Sequence, residues 1–173
     1  MDTNVWVFAI AGENQIAEEL VSDVISGERE TVVDTYIYFE VINAFSRSKS
    51  ISDKHVQSAQ DKFGQLIWAE CDTIEEAVDE NKVNEYCENP EEFLEQRRDS
   101  TYDNMLGDSH EIQAKDAPIL KLAYEYATHG SQTTIHTNDE DFADFDPSRF
   151  NYPIKMNYVP DETETVGPQL KDE

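Results

Sequence analysis

The sequence predicts an α/β fold, a sandwich in which helices cover a parallel sheet. A β-branched run at Thr31-Val32-Val33 leads directly into a helical pattern, and a second run, Thr133 to His136, follows another helical pattern. Strands that alternate with helices pair in parallel, because the intervening helix carries the chain back across the sheet. The length of 173 residues fits one domain of ordinary size.

The first half of the chain predicts three helices and one strand. Apolar residues recur at helical spacing from Asn14, a candidate N-cap, to Gly27, a candidate helix end. The strand at 31–33 runs into a second helix that ends near Arg47. Ser52 or Asp53 begins a third helix, whose apolar face carries Val56, Ala59, Phe63 and Leu66.

The second half begins with an acidic segment, 70–108, that is predicted to be a helical insertion. It carries helix-like patches at 74–83 and 90–98, separated by the breaker Asn89-Pro90. A helix is then expected from about Ile112 until Gly130, followed by the strand at 133–136 and a short strand near 154–159. From 159 to 173 the chain is expected to be a disordered acidic tail.

The charge balance excludes a nucleic-acid binder that works through a basic surface. Thirteen Lys and Arg against 38 Asp and Glu give a net charge of -25, whereas phosphate neutralisation needs clustered cations. Acids spread along the whole chain are typical of halophilic proteins, since molar salt screens their mutual repulsion; an acidic interaction surface is the alternative. With no run of about 18 apolar residues and no signal peptide, a cytoplasmic protein without membrane contact is expected.

Four carboxylates stand out from this acidic background: Asp2, Glu40, Asp116 and Asp139. Glu40 and Asp116 interrupt apolar segments, and Asp139 follows a predicted strand, where open α/β sheets place their sites. Mg²⁺ and Mn²⁺ prefer oxygen ligands, and converging carboxylates repel one another without a cation. Because 38 of 173 residues are acidic, a helix cap or a solvated charge is the competing interpretation of each one.

Four motifs in this order resemble the PIN-domain family over most of residues 2–158. They are Asp2-Thr3-Asn4-Val5, Glu40-Val41-Ile42-Asn43-Ala44, Lys115-Asp116-Ala117-Pro118-Ile119-Leu120 and Thr137-Asn138-Asp139-Glu140-Asp141-Phe142. The resemblance implies a three-layer α/β/α sandwich with a central parallel sheet. The PIN-like domain would cover 1–158, with the helical insertion at about 70–108.

The resemblance also implies an activity, hydrolysis of RNA phosphodiesters with Mg²⁺ or Mn²⁺. Asp2, Glu40, Asp116 and Asp139 would be the catalytic acids. Asp2 and Asp116 would bind the metal directly, Asp139 and Glu40 would hold metal-bound waters or a second ion, and Asp141 would be a fifth acid. Asn4 and Thr137 match positions that orient the first and last acids. Many relatives are VapC-type toxins, which implies a cognate antitoxin and a homodimer.

Two further interpretations stay open. Family members place several apolar residues before the first Asp as the central strand, whereas only Met1 precedes Asp2 here. The first strand is therefore expected to be truncated, or to start upstream, and a truncated strand favours a PIN-like module that binds without cutting. A phosphatase of the haloacid dehalogenase type is the weaker alternative, because that family has a second Asp where Asn4 stands.

Overall fold

The computed structural model describes residues 1–48, 51–106, 111–128 and 132–161. The end of the predicted insertion at 107–108, the predicted helix end at Gly130 and most of the predicted tail, 162–173, lie outside the described residues. Within the described ranges, no helix combines the length and the apolar character needed to cross a membrane.

The described chain is a mixed α/β structure. Its helices are α1 (Thr3–Ala11), α2 (Gln15–Ser26), α3 (Thr35–Arg47), α4 (Asp53–Gln65), α5 (Glu80–Tyr86), α6 (Pro90–Leu106), α7 (Ala117–Thr128) and α8 (Glu140–Ala143). A π-helical turn at Leu66–Glu70 follows α4, and a 3₁₀ turn at Pro147–Phe150 follows α8. The strands are β1 (Thr31–Asp34), β2 (Ile74–Ala77), β3 (Thr133–Thr137) and β4 (Ile154–Tyr158).

The strands pair in parallel, as the alternation of strands and helices predicts. β1 pairs with β2 with Thr31 opposite Ile74, and β3 pairs with β4 with Thr133 opposite Ile154. In the described residues these are two separate two-stranded sheets. All four strands are short, so the helices supply most of the core.

Most of the predicted elements are confirmed. Asn14 caps α2 by accepting a hydrogen bond from the N–H of Ala17, and Gly27 ends the helix in the left-handed conformation. The strand at 31–34 runs directly into α3, and α4 begins one residue after Ser52. The helix expected from Ile112 begins later, at Ala117.

The prediction of a helix across 74–83 is wrong for its first part. Ile74 to Ala77 form β2, and only Glu80 begins a helix. Only Ile74 of this strand is buried, and its next three side chains are exposed. Burial of side chains therefore contributes little to the strand, and the hydrogen bonds to β1 stabilise it. The segment from 70 onward therefore contributes to a sheet as well as supplying helices.

The helix α1 is absent from the sequence prediction and lies in the centre of the core. Val5 and Trp6 are completely buried, and the Trp6 ring meets the edge of Phe63 with centroids 5.3 Å apart. A helix that is apolar on all sides shows no amphipathic period, so pattern analysis cannot distinguish it from a buried strand. Asp2 is the N-cap of this helix, and the central position of the helix therefore places Asp2 in the interior.

Replacing Gly27 and Gly64 by alanine is expected to change the free energy of unfolding in opposite directions. Gly27 has φ = 86°, so we expect Gly27→Ala to lower the free energy of unfolding by about 1 kcal/mol. Gly64 lies inside α4, where a Cβ would make ordinary contact with the Trp68 ring at 3.6 Å. Gly64→Ala is therefore expected to raise the free energy of unfolding by about 0.5–1 kcal/mol. Chemical denaturation of both variants measures this, and equal signs would contradict it.

Candidate functional site

Asp2 is fixed at the end of β3 by three hydrogen bonds. Its carboxylate accepts one from the N–H of Thr3 and one from the hydroxyl of Thr137, each at 2.6 Å. Its backbone N–H donates to the carbonyl of His136 at 2.9 Å. Asp2 is only 6% exposed, and this burial raises the pKa of its carboxyl although both donors act in the opposite direction.

Asp116 lies directly before α7 and is a buried acid whose pKa is strongly raised. It is 3% exposed, and its carbonyl accepts the N–H of Leu120 in the first turn of the helix. Burial raises the pKa of Asp116 to about 7, and the charges of Asp2, Asp139 and Glu40 act in the same direction. The structure thus brings the four predicted acids into electrostatic contact around Asp116.

Asp139 caps α8 and faces a cation. Its carboxylate accepts the N–H of Phe142 at 3.3 Å and lies 2.7 Å from the ammonium of Lys115. Partial burial alone would raise the pKa of Asp139, but the hydrogen bonds from Lys115 and Phe142 outweigh it, and the pKa is lowered. The N–H of Asp139 donates to the Thr137 hydroxyl at 3.0 Å, so Thr137 joins the first and last predicted acids.

Glu40, on α3, is held by a network that reaches α6 and the segment before α7. Its carboxylate pairs with Arg98, whose guanidinium also contacts Glu91 at 2.9 Å. The Tyr36 hydroxyl lies 3.2 Å from Glu40, 2.8 Å from the carbonyl of Lys115 and 3.1 Å from Nε of Arg98. Burial and the charge of Glu40 raise the pKa of Tyr36, which stays protonated and donates to one of these acceptors while it accepts from Arg98.

The predicted supporting residues fall into two groups. Thr137 hydrogen-bonds to both Asp2 and Asp139, and its orienting role in a site stays a prediction. Asn4, on α1, is half-buried and makes no hydrogen bond to Asp2 within the described chain, since Thr3 and Thr137 are the donors there. Asp141 lies exposed in the first turn of α8, and its role as a fifth acid stays a prediction.

The cations at the site are what sequence reasoning missed. Tyr36 and Glu40 stand four residues apart on one helix, a spacing that indicates contact. Lys115 precedes Asp116 in the motif, but nothing in the local pattern shows that it reaches Asp139. Arg98 is 58 residues from Glu40 in sequence, and only the packing of α6 against α3 joins them.

Comparisons with protein-family models, with curated proteins and with solved structures give no match to this chain. The residues of the site therefore carry the functional argument.

The four acids have the donor chemistry of a divalent-cation site but, in the described residues, not its placement. Carboxylate oxygens are the ligands that Mg²⁺ and Mn²⁺ prefer. Burial first, and then the charges of Asp2, Asp139 and Glu40, raise the pKa of Asp116. In the described chain, no three His, Cys, Asp or Glu side chains are placed to hold one ion together. Lys115 and Arg98 pair directly with Asp139 and Glu40. Asp2 and Asp116 make no direct ion pair among the described residues, although the charge of Lys115 acts on both.

Thr137→Val is expected to lower the free energy of unfolding by about 2 kcal/mol, because it leaves a buried carboxylate and a backbone N–H without their shared partner. Thr134→Val on the same strand is the matched control, since the half-buried Thr134 hydroxyl makes no hydrogen bond in the described part of the chain. Denaturant titration of both variants tests this. Equal losses in the two would show that the Thr137 hydroxyl adds nothing beyond its volume.

Proposed function

We propose that this chain is a divalent-metal-dependent ribonuclease with a PIN-like three-layer fold. The observation that carries the proposal is the arrangement around Asp116, a buried carboxyl whose pKa is raised to about 7 by burial and by Asp2, Asp139 and Glu40. A group of acids that repel one another at the end of a parallel strand is stabilised by a cation.

Asp2 and Asp116 would hold the metal, and Asp139 would join them when Lys115 releases it. Glu40, held by Arg98 and Tyr36, would orient a water at the edge of the site. A bound Mg²⁺ or Mn²⁺ lowers the pKa of a coordinated water and offsets charge on a phosphate. The attacking water would give its proton to solvent, because an Asp116 carboxylate that binds the metal is not free to accept it. The phosphodiester bond to the leaving oxygen then breaks, and that oxygen takes a proton from solvent.

Lys115 would bind the substrate phosphate. An anionic phosphodiester approaches a chain of net charge -25 only where local positive charge offsets the repulsion. The Lys115 ammonium is about half exposed (45%), lies against Asp139, and has a raised pKa, because the hydrogen bond and charge of Asp139 outweigh its own partial burial. It can exchange Asp139 for a phosphate oxygen, which frees the carboxylate for the metal.

The test is RNA cleavage in about 2 M KCl with Mn²⁺ or with EDTA, comparing the unmodified chain with Asp2→Asn and Asp61→Asn. Asp61 is an exposed acid on α4 and serves as the matched control. We expect cleavage that requires Mn²⁺, at least a 100-fold loss in Asp2→Asn, and no change in Asp61→Asn. Folded protein that leaves varied RNAs intact under these conditions would refute the nuclease.

A PIN-like module that binds without cutting is the second candidate function, and the ion pairs favour it. Arg98 and Lys115 neutralise two of the four acids, so a stable site can form without a metal. This candidate predicts that RNA or a protein partner binds equally well in Mn²⁺ and in EDTA, and that Asp2→Asn leaves binding unchanged.

The role as a toxin of a toxin–antitoxin pair, and homodimerisation, rest on the resemblance to VapC-type proteins. Expression of the chain alone is expected to arrest growth of a host cell if it is such a toxin, and Asp2→Asn should abolish the arrest. Sedimentation equilibrium in about 2 M KCl measures whether a dimer forms.

A further inference from the structure

The peptide group between Lys115 and Asp116 is held at both of its polar atoms. The N–H of Asp116 donates to the carbonyl of Gln113 at 3.0 Å, which closes a turn at 113–116. The carbonyl of Lys115 accepts the hydroxyl of Tyr36 at 2.8 Å. Because a peptide group is planar, these two bonds together fix the direction in which the chain continues to the Cα of Asp116. The backbone that carries Asp116 is therefore fixed before α7 begins.

The Tyr36 hydroxyl has one proton and two acceptors to choose from. It lies 2.8 Å from the carbonyl of Lys115 and 3.2 Å from the carboxylate of Glu40. Its third neighbour, Nε of Arg98 at 3.1 Å, can only donate. The carbonyl is the nearer acceptor, and Glu40 already pairs with Arg98, so the proton goes to the carbonyl. Tyr36 is 1% exposed, which gives bulk water little access to this bond.

Helix α3 presents the Tyr36 hydroxyl and the Glu40 carboxylate on one face, because the two residues are four positions apart. The charge of Glu40 is among those that act on Asp116, so the two carboxyls lie within electrostatic range of each other. The bond from Tyr36 to the turn therefore sets the spacing between Glu40 and Asp116 through backbone that is ordered on both sides.

This bond differs in kind from the ion pairs of the site, because it joins two neutral groups. At about 1 M salt the Debye length falls to about 3 Å, and attraction between exposed charges is screened. The Lys115 ammonium, which pairs with Asp139, is 45% exposed and is subject to this screening. A hydrogen bond between a hydroxyl and a carbonyl is not, so it holds the turn in place at high salt.

We propose that Tyr36 is a positioning residue of the site, whose hydroxyl holds the turn at 113–116 so that Asp116 lies opposite Glu40 and Lys115 opposite Asp139. This inference rests on the proposed function, in which Asp116 binds the metal and Lys115 the substrate phosphate. Tyr36 touches neither metal nor substrate and acts through the carbonyl of Lys115. Residues that orient metal ligands in this way contribute about 10–100-fold to metal affinity or activity.

The first test measures Mn²⁺ affinity by isothermal titration calorimetry in about 2 M KCl for the unmodified chain, Tyr36→Phe and Tyr38→Phe. Phenylalanine keeps the ring and removes only the hydroxyl. Tyr38 is the matched control, because it is half-buried on the same helix and its hydroxyl makes no hydrogen bond in the described part of the chain. We expect Tyr36→Phe to bind Mn²⁺ about tenfold or more weakly, and Tyr38→Phe to stay within about twofold of the unmodified chain. Unchanged affinity in folded Tyr36→Phe would overturn the proposal.

A second control separates positioning from a general loss of stability. Ile74 is a buried residue of β2, and Ile74→Val weakens the core by removing a methylene group. Folded Ile74→Val is expected to bind Mn²⁺ as tightly as the unmodified chain. A loss of affinity as large as that of Tyr36→Phe would assign Tyr36 a packing role alone and would contradict the proposal.

The second test follows the turn without metal, which distinguishes failure of this inference from failure of the proposed function. Amide hydrogen exchange in EDTA measures local opening of the backbone, and the bonded N–H of Asp116 reports on the turn itself. We expect this N–H to exchange about threefold or more faster in Tyr36→Phe than in Tyr38→Phe, because one hydrogen bond that holds the turn is gone. Equal exchange in the two variants would overturn the proposal. A chain that binds no Mn²⁺ or cuts no RNA would refute the proposed function, and the exchange rates would still decide whether Tyr36 holds the turn.

Discussion

Asp116→Asn is expected to raise the free energy of unfolding at pH 8 in metal-free buffer by about 2–4 kcal/mol. The pKa of Asp116 rises from 3.8 to about 7 on folding, and one pKa unit corresponds to about 1.4 kcal/mol. At pH 8 the carboxylate is therefore ionised in a buried place where the charges of Asp2, Asp139 and Glu40 oppose it. Asparagine keeps the shape of the side chain and removes its charge. Burying the asparagine amide costs free energy as well, which is why the expected range extends down to about 2 kcal/mol.

The stability advantage of Asp116→Asn is expected to depend on pH. A carboxyl with a raised pKa binds its proton more tightly in the folded state, so its stabilising effect is complete below pH 3.8 and is lost as the pH rises through about 7. The advantage of Asp116→Asn should therefore be absent near pH 4, grow up to about pH 7 and stay constant above it. Denaturant titrations across pH at constant KCl measure it, with exposed Asp61→Asn as the control.

Mn²⁺ should reduce or reverse the stability advantage of Asp116→Asn over the unmodified chain. A ligand that binds only the folded state stabilises it in proportion to its affinity, so Mn²⁺ should raise the thermal midpoint of the unmodified chain more than that of Asp116→Asn. An advantage of the variant that does not change with pH would contradict the electrostatic account. Equal Mn²⁺ shifts in both proteins would show that Asp116 is not a ligand of the proposed metal.

Arg98→Met is expected to lower the free energy of unfolding by about 2–3 kcal/mol, between the values for exposed and fully buried pairs. The Arg98 and Glu40 side chains are 19% and 12% exposed, so the pair is largely but not completely buried, and removing Arg98 leaves the Glu40 carboxylate with little access to water and no cation beside it. The substitution also removes the N–H that donates to Tyr36. Methionine keeps much of the aliphatic volume of arginine, so the loss of unfolding free energy measures the contribution of the guanidinium group.

Arg149→Met is the control for Arg98→Met. Arg149 pairs with Glu111 at 3.0 Å, but its side chain is 62% exposed, and exposed pairs contribute about 0–1 kcal/mol. A double-mutant cycle of Arg98→Met with Glu40→Gln in denaturant isolates the coupling between the two side chains. Equal losses in the two arginine variants, or a coupling near zero, would show that the Arg98–Glu40 pair does not hold α6 against α3.

Much of the local structure follows from short windows of sequence. Asn14 and Gly27 bound α2 because a side-chain acceptor and a residue without Cβ suit the two ends of any helix. The β-branched residues of β1 and the periodic apolar residues of α3 likewise indicate their own conformations. Glu40, Asp116 and Asp139 can also be identified from the sequence, since each interrupts or follows an apolar segment, and Asp2 is identified by the motif that it opens.

Elements whose conformation depends on a distant partner were not predictable. Ile74-Glu75-Glu76-Ala77 has the composition of a helix surface and becomes a strand because β1 offers it an edge. Helix α1 is apolar on all sides because the rest of the chain surrounds it. In both cases the deciding contacts join residues far apart in sequence, which no local period records.

The sequence by itself determined the chain's acidity, its alternation of helices and parallel strands, and the positions of its four notable acids. Tertiary structure decided that these acids meet around Asp116, that Lys115 and Arg98 neutralise two of them, and that the strands pair as two sheets. The physical reason is that helix caps and strand propensities act over a few residues. Ion pairing, burial and strand partnership depend on distances that exist only once the chain has folded.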